Sequence, residues 1–176
     1  MKKFLLILGL TITIFNVHSQ NIPILDGKYT FSEVIEFPEM TAKQINDKAK
    51  DFLIVFHSDS SFLVDSGDKL IDNGSFPVNF KMRNIPMTYI IRYNLISEFK
   101  DNKNRITISD FKVTTNAAGT TSELPLENFI ENLNSVGRGK GYAEKMLEQI
   151  EESIEKESKG ILIQYKESFS STEKSW

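Results

Sequence analysis

The residues able to do chemistry are few and scattered. The chain holds two histidines, His18 and His57, and no cysteine. Zinc chemistry needs a cluster of His and Cys ligands, and none can be assembled here. No Gly-x-Ser-x-Gly stretch supports a nucleophilic serine. His57 ends an amphipathic stretch, where an imidazole can interact with the last helix carbonyls, so a capping role is expected. Asp59, Asp65, Asp68 and Asp72 crowd one region. Their spacing does not match an EF-hand loop, which places acids at alternate positions before a Gly. They read as solvated turn carboxylates. Glu33, Glu36 and Glu98 lie on strand-like segments without a spacing that singles out a hydrolytic pair. Gly137-Arg138-Gly139-Lys140-Gly141 lacks the Walker pattern, with Asn134 and Gly141 where Gly and Ser or Thr are needed. Arg138 and Lys140 beside a helix start can still attract an anion, against the alternative of a plain hinge. No catalytic residue, metal ligand or cofactor is predicted.

The elements that must position any site are organised around Ile85 to Thr115. From Met87 to Lys100 the odd positions Met87, Tyr89, Ile91, Tyr93, Leu95 and Phe99 are apolar, whereas the even positions are mixed. Period-two alternation of this length predicts a strand with one inward face. Asp101-Asn102-Lys103-Asn104 predicts a polar turn. The returning arm carries Ile106 and Ile108, then Phe111 and Val113, so its phase slips near Ser109-Asp110. One inserted residue restores the phase, which predicts a β-bulge there; the other possibility is that the strand ends.

Tyr29 to Phe37 predicts a first strand, with Glu33 out of pattern. Thr41 to Gln44 is a capping box opening a helix to Phe56. Ile45, Ala49, Phe52, Leu53 and Phe56 form its apolar stripe, with Phe52 expected between the helix and the hairpin. Ser60 to Val64 and Lys69 to Phe80 predict two strands. Asn73-Gly74 marks a kink, bulge or turn, and Pro77 an edge position. The polar stretch from Asn116 to Ser122 predicts a loop, and Leu124 to Val136 a short helix. Tyr142 to Lys159 is a strong helix, with Gly160 as its C-terminal cap. Residues 161–165 are ambiguous between helix and strand, and Ser168 to Trp176 predict a frayed tail.

Met1-Lys2-Lys3, the apolar run Phe4 to Phe15 and Val17-His18-Ser19 have the layout of a secretory signal peptide. The run is too short to span a bilayer comfortably, which takes about 20 residues; the alternative is a retained N-terminal anchor. Residues 1–19 are therefore expected to be a signal peptide, 20–167 a single α+β domain and 168–176 the tail. Without Lys2 and Lys3, 19 basic residues face 24 acidic ones. That balance disfavours nucleic acid and anionic membranes as partners. The expected location is exported, periplasmic or secreted, with no membrane span after cleavage.

The strand Tyr29–Phe37, the helix Thr41–Phe56, the arm Tyr89–Phe99 and Arg105-Ile-Thr-Ile-Ser-Asp-Phe111 resemble a family of exported Bacteroidetes proteins of unknown function. That family has a TATA-binding-protein-like fold. The resemblance covers about Gly27 to Thr115 and implies a fold and a location, but no activity and no functional residues. Fold and element order together predict an α+β curved antiparallel sheet with helices on one face. The expected function is a non-enzymatic binding or interaction module for an envelope protein or glycan. The alternative is a hydrolase using carboxylates or a metal ion. Ile90, Arg92, Asn94 and Ile96 on the even face are the candidate partner surface.

Overall fold

In the computed structural model, residues 22–57, 64–82, 85–117, 120–135 and 140–170 are described. The element order is β1 (Ile24–Leu25), β2 (Lys28–Tyr29), β3 (Phe31–Glu36), α1 (Ala42–Phe56), β4 (Val64–Asp65), β5 (Lys69–Met82), β6 (Ile85–Lys100), β7 (Lys103–Ala117), β8 (Thr120–Pro125), α2 (Leu126–Asn134) and α3 (Lys140–Ser170). β6 and β7 form the central hairpin of an antiparallel sheet ordered β3-β7-β6-β5-β4, with β8 also on β7. The turn is tighter than predicted. Lys100 pairs with Lys103, leaving only Asp101-Asn102 between the strands. Asn102 takes the left-handed backbone (φ 66°) that Asn tolerates.

This turn also places α1. The Asp101 carboxylate accepts from the Ala42 N–H (2.8 Å), and the Asn102 side chain accepts from the Glu39 N–H (2.9 Å). An acidic group there suits the positive end of the helix. The capping box forms as predicted: the Gln44 N–H donates to Thr41 Oγ1, and the Thr41 N–H donates to Gln44 Oε1. Ile45, Ala49 and Leu53 are fully buried. Phe52 departs from its expected place. It is half-buried and meets Tyr165 of α3 edge-on rather than filling the hairpin interface.

The bulge lies where the phase slips. Arg92 pairs with Lys112 and Asn94 with Ser109, so one β6 residue faces two on β7. Asp110 there has φ 54°. The extra residue keeps Phe111 and Val113 buried on the same face as Ile106 and Ile108. β3 pairs with residues 103–108 of β7 and β8 with 112–117, so both share one edge with the bulge between them.

α1 packs on β5, β6 and β7, α2 on β7 and β8, and α3 on β5 and both other helices. The three described helices thus lie on one face, as predicted for an α+β fold. Glu33, out of pattern in β3, is explained by Lys166 of α3, whose ammonium lies 2.6 Å from its carboxylate. Among the described strands, β5 beyond Ile71 borders only β6, which gives Pro77 its edge position.

Ahead of β3, Asp26-Gly27 turns a short β1–β2 hairpin with both φ values positive, the geometry Asp-Gly favours. Three expectations are corrected. The polar stretch 116–122 is not simply a loop, because β7 runs to Ala117 and β8 begins at Thr120. Asn73-Gly74 neither kinks nor turns; both residues pair in register within β5. Gly160 does not cap α3, which continues to Ser170. Ile150, Ile154, Ser158, Ile161 and Tyr165 form one buried stripe, and that burial outweighs the roughly 0.5–1 kcal/mol cost of an interior Gly. Phe169 stacks on Phe37 at 4.1 Å, so the helix holds the first residues of the expected tail; 171–176 lie outside the described residues.

Candidate functional site

His57 does cap α1, but through its backbone: its N–H donates to the Leu53 carbonyl (2.8 Å). The ring does not turn back to the helix carbonyls, which corrects the sequence expectation. Nδ1 lies 2.6 Å from Asp72 Oδ2, and Nε2 lies 3.0 Å from the Tyr93 hydroxyl. Asp72 comes from β5 and is 1 % exposed; its other oxygen accepts from the Asn73 N–H at 2.9 Å. A buried carboxylate requires such partners. Asp72 is therefore not a solvated turn acid.

Gly74 makes the arrangement possible. It pairs directly with Tyr93, and a Cβ added at Gly74 would fall 2.1 Å from the Tyr93 ring. The ring lies over the glycine, which lets the hydroxyl reach His57. Burial, with Asp72 and Glu157 nearby, holds the Tyr93 phenol well above its ordinary value. The phenol therefore stays protonated, and its hydroxyl engages Nε2 while Nδ1–H donates to the Asp72 carboxylate. The connectivity resembles the carboxylate–imidazole pair of a general base. Here the nitrogen that would take a substrate proton is filled by Tyr93. The chemistry available is a polar tie joining the end of α1 to β5 and β6.

Tyr165 is fully buried, and burial raises its phenol as well. Both phenols hold their protons more tightly folded than unfolded. Their contribution is complete below the ordinary phenol value of 10.0 and is lost as pH rises through and beyond it. Stability is expected to fall above about pH 10. The phenolate absorbance of Tyr93 and Tyr165 should appear together with unfolding. Ionisation of both while the near-ultraviolet dichroism stays native would contradict this placement.

The remaining acids disperse. Asp65 pairs with Lys50 at 2.7 Å, a contact that lowers its carboxyl below the usual range. Asp68 accepts from the Ser66 hydroxyl, and Asp59 lies outside the described residues. Among the described residues no group of three or more acids or histidines is placed to hold a metal ion. Glu98 pairs with Arg105 at 3.6 Å. Arg138 and the Lys140 side chain lie outside the described residues.

The candidate partner strip does come together. Along β6 the odd residues Ile91 to Phe99 are buried, whereas Ile90, Asn94 and Ile96 are half-buried and Arg92 is exposed. The strip lies on the sheet face turned away from the helices. Cross-strand neighbours extend it: Ile71 and Thr107 flank Ile96, and Pro77 and Thr114 flank Ile90. Asn94 donates to Asp110 at the bulge (3.2 Å). Arg92 and Lys112 sit opposite each other, and Glu123 of β8 lies 3.5 Å and 3.0 Å from them. By register, this face carries Lys69, Lys81, Arg92, Lys100, Lys103, Arg105 and Lys112 against Glu36, Glu98, Glu123 and Asp110. An acidic chain, with 24 acidic and 21 basic residues, thus has a basic open face.

Residues 31–114 match a family described as a domain of unknown function (DUF4468) with TBP-like fold. Over that stretch the chain is similar to the DUF4468 family. The crystal structure of a DUF4468 family protein from Bacteroides ovatus ATCC 8483 matches with TM-score 0.66 and 15 % identity, over 88 % of this chain and 94 % of that one. A TBP-like protein from Parabacteroides distasonis ATCC 8503 matches with TM-score 0.60 and 14 % identity, over 82 % and 97 %. No curated protein matches the chain. Identities this low show the shared TBP-like α+β fold and nothing about ligands. The DUF4468 match begins at Phe31 in β3 and ends at Thr114 in β7, so it takes in the open face around Ile90 to Ile96.

Proposed function

We propose that this chain is an exported cell-envelope domain that acts as a non-enzymatic interaction module. Its partner, an envelope protein or glycan, sits on the open sheet face centred on Ile90, Arg92, Asn94 and Ile96. The observation that carries the reading is the one-sidedness of the cover. The described helices all pack on the opposite face, and the open face keeps half-buried isoleucines beside charged residues. Apolar groups next to arginine suit a protein contact. The location rests on the basic, then apolar N-terminal residues, and no described helix is long and apolar enough to cross a membrane. The hydrolase alternative gains no support from the Asp72–His57–Tyr93 set, whose basic nitrogen is already engaged.

Ile90→Asp combined with Ile96→Asp is expected to leave the fold standing, at a cost below about 2–3 kcal/mol for two half-buried side chains. Retention of the partner in pull-downs from envelope extract should be lost. A double variant that unfolds would make this face core, and one that folds and still retains the partner would place the site elsewhere.

A further inference from the structure

At the turn end of the open face, Val34, Glu98, Lys100, Lys103 and Arg105 line a shallow pocket. Lys100 and Lys103 are directly opposite each other in the register. Like charges so placed repel. The fold meets this situation twice on the same face, with different outcomes. The Arg92–Lys112 pair is bridged by the single carboxylate of Glu123. The Lys100–Lys103 pair has no ion-pair partner among the described residues: Glu98 is held by Arg105, and Glu36, opposite Lys103 on β3, makes no ion pair with it. Three cations thus converge on a pocket offset by one carboxylate.

We propose that this pocket receives a carboxylate from an acidic protein segment, which names the partner class for the surface proposed above and rests on that reading. Charge complementarity sets the sign of the occupant. The apolar groups set its class. Val34 in the pocket is 52 % exposed, and Ile96 and Ile71 lie further along the face. None of the described outward positions of the sheet holds an aromatic residue on which a base could stack. Aliphatic groups beside cations complement a segment mixing acidic and aliphatic side chains, whose carboxylate the lysines would neutralise.

The test uses the whole chain and a fluorescein-labelled polyglutamate peptide, read by anisotropy at low ionic strength. Lys100→Gln with Lys103→Gln is expected to weaken binding about tenfold. Lys103→Gln alone should weaken it about threefold, and Lys112→Gln, already countered by Glu123, less than about twofold. The double variant should melt no lower than the parent, since a repulsion is removed. Equal binding by parent and double variant overturns the site. Tighter binding of polygalacturonate than of polyglutamate at equal charge overturns the protein assignment in favour of an acidic glycan. If polyglutamate fails while the Ile90/Ile96 double variant still loses its envelope partner, this inference falls alone. If both fail, the open-face reading falls with it.

Discussion

His57→Leu is expected to destabilise the domain by about 3–5 kcal/mol, because it leaves the Asp72 carboxylate buried without its imidazole. Asp72 is 1 % exposed and keeps only the Asn73 N–H at 2.9 Å once the ring is gone. Adding Asp72→Leu should restore much of the loss, since apolar pairs often replace buried ionic ones at little cost. Urea melts of the two single variants and the double give the coupling directly. A His57→Leu loss below about 1 kcal/mol, or additive losses in the double, would show that the contact ties nothing together.

The second large effect is expected at Tyr165. Tyr165→Ala should cost about 3–5 kcal/mol, a large share of a domain stability of about 5–15 kcal/mol. Its ring is fully buried, 5.3 Å from Phe52 of α1 and 5.0 Å from Phe169. Losing it opens a cavity where α1, α3 and the sheet meet. Lys159→Ala, exposed on the same helix, should stay within about 0.5 kcal/mol. Equal losses for the two would mean that the second half of α3 does not pack as described.

What was legible in the chain followed from periodicity. The alternation from Met87 to Phe99, the phase slip at Ser109-Asp110 and the Thr41 capping box each have a local cause, and each formed where its pattern lay. What stayed hidden depends on contacts between distant residues. Nothing near His57 in sequence points to Asp72 or Tyr93, 15 and 36 residues away. The register between β5 and β6 makes them neighbours. Asn73-Gly74 looked like a break because Gly usually signals one, yet Gly74 is needed as bare space beneath the Tyr93 ring. Gly160 misled for a related reason, since propensity at one residue cannot see Ile161 and Tyr165 packing beyond it. The β1–β2 hairpin was readable and overlooked, because Asp26-Gly27 is itself a turn signal. Of the candidate surface, the shared face of Ile90 to Ile96 was visible in the alternation, whereas the contrast between the countered Arg92–Lys112 pair and the uncountered Lys100–Lys103 pair required the strand register.

Site-specific photocrosslinking in the envelope fraction tests the open face most directly. One photoreactive residue would replace Ser75, exposed and opposite Arg92 on the open face; another would replace Glu152, exposed on α3. Position 75 is expected to give a discrete crosslinked product and position 152 none. A product from position 152 with none from position 75 would place the partner on the helical side and contradict the proposed function.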